Sequence, residues 1–236
     1  MIDKRFAAPA AAVRDIGDGA TVMVGGFGEA GSPIELIDAL IEQGACDLTV
    51  ISNNAGSGTT GLAALIRAGR VSKMICSYPR SADSEVFAEL YRTGRIGLEL
   101  VPQGTLAERI RAAGAGIPAF YTPTAAGTHL AQGKPQRQFD GRECLLEHAL
   151  SADVALIKAA AADRHGNLIY NKTARNFAPL MAMAAKTTIA QTSVVVSLGS
   201  LDPETVVTPG IFVDRVVQTD RAPQQLDPSR SEAGWL

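Results

Sequence analysis

Short apolar runs alternate with amphipathic segments through the first half of this 236-residue chain. Residues 21–24, 47–51, 71–76 and 98–101 are strand-length runs of mostly apolar and β-branched residues, with Asp47, Ser72, Lys73 and Glu99 among them. The run Leu48-Thr49-Val50-Ile51 reads as a buried strand, and the others as strand candidates. Between them lie helical patterns. Residues 7–16 are alanine-rich and stop at Gly17-Asp18-Gly19. Ile34, Leu36, Ile37, Leu40 and Ile41 form one stripe, and Leu62, Leu65 and Ile66 another. Residues 83–92 carry charge on one side, and 106–113 follow a start at Gln103-Gly104-Thr105. Gly44, Gly69 and Gly94 supply the stops. Ser32 is placed as an N-cap, with Pro33 at the first helical position. Strand and helix alternating in this way predict an α/β fold: a mostly parallel sheet with helices on both faces.

The second half is less regular. Residues 114–133, rich in Gly, Pro and Thr, read as an irregular excursion. Residues 134–146 read as a hairpin turning at Asp140-Gly141. Strands are expected at 153–158, 168–170, 187–191, 194–196 and 212–217, a turn at 163–167 and a helix at 177–184. No sharp boundary divides the chain, so residues 1–218 are expected to form one domain. Residues 219–236, polar and holding Pro223 and Pro228, are expected to be a mobile tail.

The run Val22-Met23-Val24 empties into Gly25, Gly26, Phe27, Gly28, Glu29, Ala30 and Gly31. Strand, glycine loop, then helix is an arrangement that lets a backbone approach a ligand closely. A helix start just beyond would aim unpaired N–H groups at an anion. Gly26-Phe27-Gly28-Glu29-Ala30-Gly31 satisfies the dinucleotide spacing G-x-G-x-x-G. The ribose-binding acid is missing, however: Asp47 precedes the second strand, and Asn53 and Asn54 occupy its end. A purely structural turn stays open as an alternative. In a parallel sheet, ligands sit at strand carboxyl ends. Three loops are expected there: 25–31, 53–58 and 103–105.

Composition narrows the partners. A net charge of −2 argues against nucleic acid. Cys46, Cys76 and Cys144 are odd in number and lack metal-ligand spacing, which points to reduced thiols and no metal site. No apolar run reaches the roughly 20 residues of a membrane span. The start of the chain has no apolar run of signal-peptide length. A soluble, cytoplasmic protein is expected.

A nucleophile is harder to find. Ser32, Ser52 and Ser84 lack a nucleophile-elbow setting, and His129, His148 and His165 are scattered. Glu29 has nothing beside it that suggests activation. Asn53, Asn54 and Gln103 cannot attack, although their amides could donate to a developing oxyanion. From spacing alone, loop capping is their simpler role. Lys158, Arg164, Lys172 and Arg175 are either a solvated basic set or contacts to phosphates or a carboxylate.

Residues 18–33, Asp18-Gly19-Ala20-Thr21 through Gly25-Gly26-Phe27-Gly28 to Gly31-Ser32-Pro33, resemble the signature of the class I CoA-transferase A subunit. Ser52-Asn53-Asn54, the stretch 101–111, Gly166-Asn167-Leu168, 172–177 and 208–211 are similar to that family as well. Together they span about residues 4–217. Residues 76–84 look more like the 3-oxoadipate type than the acetoacetate type. The resemblance implies transfer of CoA from succinyl-CoA to a 3-oxo acid, with coenzyme A as substrate and no permanently bound cofactor. It also implies a hetero-oligomer with a B subunit, expected as two A and two B chains, whose glutamate is the nucleophile. In that mechanism the glutamate attacks the thioester to form an acyl anhydride, and the CoA thiolate returns to give an enzyme–CoA thioester. The acceptor carboxylate then takes over the acyl linkage. Gln103 is the carried-over active-site residue, Asn53 stands where the partner's glutamate would be, and 25–31 is the CoA-handling loop. A sugar-phosphate-sensing or otherwise non-catalytic protein on a similar fold remains the alternative of another class.

Overall fold

The strands of this chain alternate between two apolar faces. In the strand Thr21–Val24, Val22 and Val24 join one buried cluster while Met23 joins another. Period-two side chains place the two sets on opposite sides of one sheet, so both sides need helices. The computed structural model describes residues 2–80 and 84–219 and shows that arrangement.

In chain order the elements are β1 (Arg5–Phe6), α1 (Pro9–Val13), β2 (Thr21–Val24), α2 (Ile34–Gln43), β3 (Leu48–Ile51) and α3 (Gly61–Arg67). Then come β4 (Val71–Cys76), α4 (Glu85–Arg92), β5 (Gly97–Leu100), α5 (Gln103–Gly114), β6 (Ala119–Thr122), β7 (Gln136–Phe139) and β8 (Arg142–His148). The chain continues through β9 (Ala152–Ala159), β10 (Ala161–Asp163), β11 (Leu168–Ile169), α6 (Ala178–Ala184), β12 (Ala185–Thr192), β13 (Val195–Val196) and β14 (Arg215–Gln218). The main sheet has eight strands, in the order β1-β14-β12-β9-β2-β3-β4-β5. Every pairing within it is parallel. Helices α1 to α4 cover one face through Val13, Leu36, Leu65 and Phe87. Helices α5 and α6 cover the other through Leu106, Ile110, Ala178 and Met181.

From β2 the chain winds outward through β3, β4 and β5. From β9 it winds the opposite way through β12 and β14. The order therefore reverses between β2 and β9, and the loop after β2 sits at that switch point. This is where an open parallel sheet leaves a crevice at its carboxyl edge. The glycine loop thus occupies the place in the fold best suited to a ligand.

Several sequence expectations need correcting. Helix α1 is five residues long and does not reach Ile16. Ser32 is not the N-cap of α2, and Pro33 is not its first helical residue. Pro33 itself, at φ −85° and ψ 66°, is the flanking residue, and no side chain of either caps the helix. The excursion at 114–133 contains β6, which pairs antiparallel with β8. Its four residues, Ala119 to Thr122, are a short run set between Pro118 and Pro123, and the strand is completed by pairing with β8. Phe212 lies in a tight turn, so the last strand begins at Arg215. Of the helix expected at 83–92, Asp83 lies outside the described residues, as do residues 220–236 of the expected tail.

Other expectations hold. Gly44 takes the left-handed C-cap of α2 and donates to the Leu40 carbonyl. Asp140 and Gly141, at φ 48° and 75°, make the two-residue turn between β7 and β8. The small sheets β6-β8-β7 and β11-β10-β13 stand apart from the main one.

Candidate active site

The glycine loop folds back on itself. Phe27 N–H donates to the Ala30 carbonyl at 3.0 Å, and Ala30 N–H returns a bond to Phe27 at 3.2 Å. Gly28 and Glu29 form the tip. Asn176 anchors the base: its Oδ1 accepts from Gly26 N–H at 3.1 Å and its Nδ2 donates to the Ala30 carbonyl at 2.9 Å. Asn176 follows the turn Lys172–Arg175 and itself takes a positive φ of 23°. Gly31 closes against that turn. A Cβ on it would lie 2.4 Å from the Ala174 carbonyl oxygen, so no side chain fits.

The start of α2 is already partly engaged. The N–H of Leu36 is taken by Oε1 of Gln191 at 3.1 Å, and Nε2 of the same side chain donates to Glu35. Gln191 is buried on β12. One of the N–H groups at this helix start, that of Leu36, is therefore satisfied from within the fold.

The second loop lies where sequence placed it. Ser52, Asn54, Gly56 and Ser57 line one narrow cleft together with Gly25, Gly26, Gly28 and Glu29. Asn54 spends its Oδ1 on the N–H of Gly56 at 2.8 Å, a local turn. Asn53 is 3% exposed and reaches the third loop. Its Oδ1 accepts from Gln103 Nε2 at 2.8 Å and from Ser77 Oγ at 2.7 Å. Gln103 is the first residue of α5 and is exposed, with one amide N–H tethered to Asn53. An amide nitrogen carries two hydrogens, so a second donor remains for a ligand. All three predicted loops thus gather at the carboxyl edge. Asp47 lies just before β3, at its amino end, and cannot serve a ribose there.

Sequence reasoning missed Ser77, the second donor to Asn53. It also missed Asn176 as the anchor of the glycine loop. The latter carried a signal, because a non-glycine residue with positive φ is most often Asn or Asp.

Neither thiol nor imidazole offers a nucleophile. Burial pushes the Cys76 thiol up to about 12, against a weaker opposing hydrogen bond from Tyr78, so it stays protonated at neutral pH. His129 and His148 are exposed and apart. Among the described residues no group of three or more His, Cys, Asp or Glu could hold a metal ion. No helix among them is long and apolar enough to cross a membrane. Of the basic set, Lys158 and Lys172 share a second cavity that adjoins the loop at Glu29, whereas Arg164 lines a different one beside β1 and Arg175 lines neither. Phe27 and Tyr78, on loops at this edge, are 52% and 62% exposed.

The crevice thus brings tethered amides to the end of β3, where Asn53 and Asn54 stand in place of a ribose-binding acid. Comparison with known proteins gives the class: residues 6–219 match the coenzyme A transferase family, and the chain belongs to it. It is 63% identical over 222 residues to the A subunit of the 3-oxoadipate CoA-transferase of Pseudomonas putida, covering 94% of this chain and 96% of that one. It is 53% identical over 215 residues to the A subunit of the succinyl-CoA:3-ketoacid coenzyme A transferase of Xanthomonas campestris pv. campestris, covering 91% and 88%. The fold matches the crystal structure of the acyl-CoA transferase apoenzyme of Escherichia coli O157:H7 with a TM-score of 0.81 at 25% identity. That alignment covers 92% of this chain and 47% of the other, so the chain spans about half its length.

Proposed function

We propose that the chain is the A subunit of a CoA-transferase that moves CoA from succinyl-CoA to 3-oxoadipate, and that it acts only with a B subunit. The observation that carries this reading is the Gln103–Asn53 pair, a hydrogen-bond donor held at the end of β3, next in sequence to Ser52 and Asn54, which line the cleft of the glycine loop. The names of its relatives, each an A subunit, support the division of labour. Exposed Phe27 and Tyr78 at the carboxyl edge suit a surface that a partner covers.

The chemistry follows from that division. The nucleophile is a glutamate carboxylate of the B subunit, which attacks the succinyl thioester carbonyl. The tetrahedral oxyanion collapses to a succinyl–glutamyl anhydride and expels CoA thiolate. The thiolate attacks the glutamyl carbonyl, releases succinate and leaves a glutamyl–CoA thioester. The carboxylate of 3-oxoadipate attacks that thioester, giving a second anhydride and free thiolate. Attack of the thiolate on the 3-oxoadipyl carbonyl forms the product and restores the glutamate. Every step passes through an oxyanion, and the free N–H of Gln103 is the donor that stabilises it. Asn53 positions that amide. Gly25, Gly26, Phe27, Gly28, Glu29, Ala30 and Gly31 handle CoA, whose remote binding energy is expressed at the reacting carbonyl.

CoA is a substrate in this scheme, and no permanently bound cofactor is required. We further propose a cytoplasmic hetero-oligomer of two A and two B chains, with residues 1–218 as one domain. The test is to assay the chain alone, then with its B subunit, supplying 3-oxoadipate or acetoacetate as acceptor. The reading expects activity only from the mixture and a higher kcat/KM for 3-oxoadipate. Substantial transfer by the chain alone contradicts it, and a preference for acetoacetate reassigns the acceptor.

A further inference from the structure

The protein has six lysines. Four of them donate to a carbonyl or a carboxylate: Lys4 to Gly210 and Val213, Lys73 to Glu99, Lys134 to Glu147 and Lys186 to Asp153. Lys158 and Lys172 donate to nothing among the described residues. These two lysines line the same cavity, about 210 Å³ in volume, which adjoins the glycine loop at Glu29. Lys158 is half-buried near the carboxyl end of β9. Lys172 opens the turn Lys172–Arg175 with φ 49°, a left-handed conformation uncommon for any residue but glycine. The same turn packs on Gly31 and leads into Asn176, the anchor of the glycine loop. The fold thus sets two ammonium groups beside the loop, neither in an ion pair among the described residues.

The remaining lining narrows the ligand. Ala159 and Ala174 give it an apolar wall. The hydroxyl of Tyr170 is already engaged with Thr208 at 2.7 Å, so it offers the cavity little. Glu29 brings one negative charge against two positive ones, which leaves a net charge of +1 to be neutralised. That balance fits one carboxylate rather than a diphosphate. Size agrees, because pockets for drug-sized ligands run to about 300–1,000 Å³ and this one is smaller. A short acyl chain fits it, and a nucleotide does not.

We infer that this cavity takes the distal carboxylate of a dicarboxylic acyl chain, pairing it with Lys158 and Lys172 while the reacting end of the chain lies over the glycine loop. The inference rests on the transferase reading above and deepens it: these lysines would select diacids such as 3-oxoadipate over mono-acids.

The test uses the complex with the B subunit, given two acceptors of equal length: 3-oxoadipate, and 3-oxohexanoate, which lacks the second carboxylate. In a ping-pong reaction kcat/KM for the acceptor reports only its own half-reaction, so the charge on the succinyl donor does not enter. Lys158→Met and Lys172→Met keep the aliphatic stems and remove the charges. Each is expected to lower kcat/KM for 3-oxoadipate about ten- to a hundredfold, the range for losing a hydrogen bond to a charged group. With 3-oxohexanoate the change should be several times smaller. Lys158→Arg should retain most of the diacid preference, which separates charge from packing. Equal losses on both acceptors, or no loss on either, would overturn the inference while leaving the transferase reading intact. A wild-type complex that transfers CoA to no 3-oxo acid would overturn that reading and this inference together.

Discussion

Gly31→Ala is the substitution whose effect the structure specifies most closely. Gly31 has φ 77°, and an added Cβ would lie 2.4 Å from the Ala174 carbonyl oxygen and 3.0 Å from Asn176 Nδ2. The left-handed backbone alone costs an L-residue roughly 1–2 kcal/mol. Forcing a methyl group against fixed backbone adds about 1–3 kcal/mol more. The sum is about 2–5 kcal/mol, which for a domain of this size lowers Tm by roughly 4–20 °C at about 2–4 °C per kcal/mol. Gly28→Ala is the matched control. Its φ is 59°, also left-handed, but a Cβ there meets nothing within 4 Å. It should carry only the backbone part, about 1–2 kcal/mol. Thermal melts of both variants followed by circular dichroism give the comparison. A Gly31→Ala variant that melts together with Gly28→Ala would refute the packing of the glycine loop on the 172–176 turn. It would equally remove the link between that loop and the lysine cavity.

Other expectations concern the amides and the charges. Gln103→Ala in the A–B complex should lower kcat by about 10²–10³, the usual result of removing one oxyanion donor, with CoA affinity little changed; an unchanged kcat removes Gln103 from the mechanism. Asn53→Ala should lower kcat less, and the double variant should fall short of the summed effects by about 0.5–3 kcal/mol, because Asn53 acts through Gln103. A fully additive cycle would separate the two residues. Burial raises the pKa of Glu99, but its bonds to Lys73 and Arg109 outweigh this and hold it below its ordinary value. Its stabilisation is therefore fully present above the unfolded value of about 4.3 and is lost as pH falls through the lower folded value. Glu99→Gln should be less stable than wild type at pH 7, by no more than about 1 kcal/mol for this partly exposed pair, and indistinguishable from it in strong acid. A stability difference that persists unchanged at pH 2 would show that packing, not charge, is the cause.

The central strands were legible because they are buried on both faces and so appear as largely apolar runs. Residues 21–24 coincide with β2 for that reason, and β4 at 71–76 shows through its apolar half, Met74 to Cys76. Strands that depend on distant partners were harder to see. Ala119–Thr122 has one half-covered face and becomes a strand only when β8 pairs with it. The helix terminus at Pro33 failed differently, because its capping group, Gln191, lies 155 residues away. At the site, the three loops were visible as glycines and amides that follow strands. Their mutual contact was not, since spacing cannot show that Gln103 reaches Asn53 across 50 residues. The grouping of Lys158 with Lys172 needed the reversal of strand order at β9, which sets both beside the glycine loop. The family resemblance supplied the roles that residue patterns alone left open.

The central claim is that this chain binds and polarises while the covalent chemistry takes place on its partner. The direct measurement is to incubate the A–B complex with succinyl-CoA in the absence of an acceptor, then determine the intact mass of each chain. The account predicts a covalent CoA adduct on the B subunit, with this chain left unmodified. An adduct on this chain, at Glu29 or at any other residue, would contradict it.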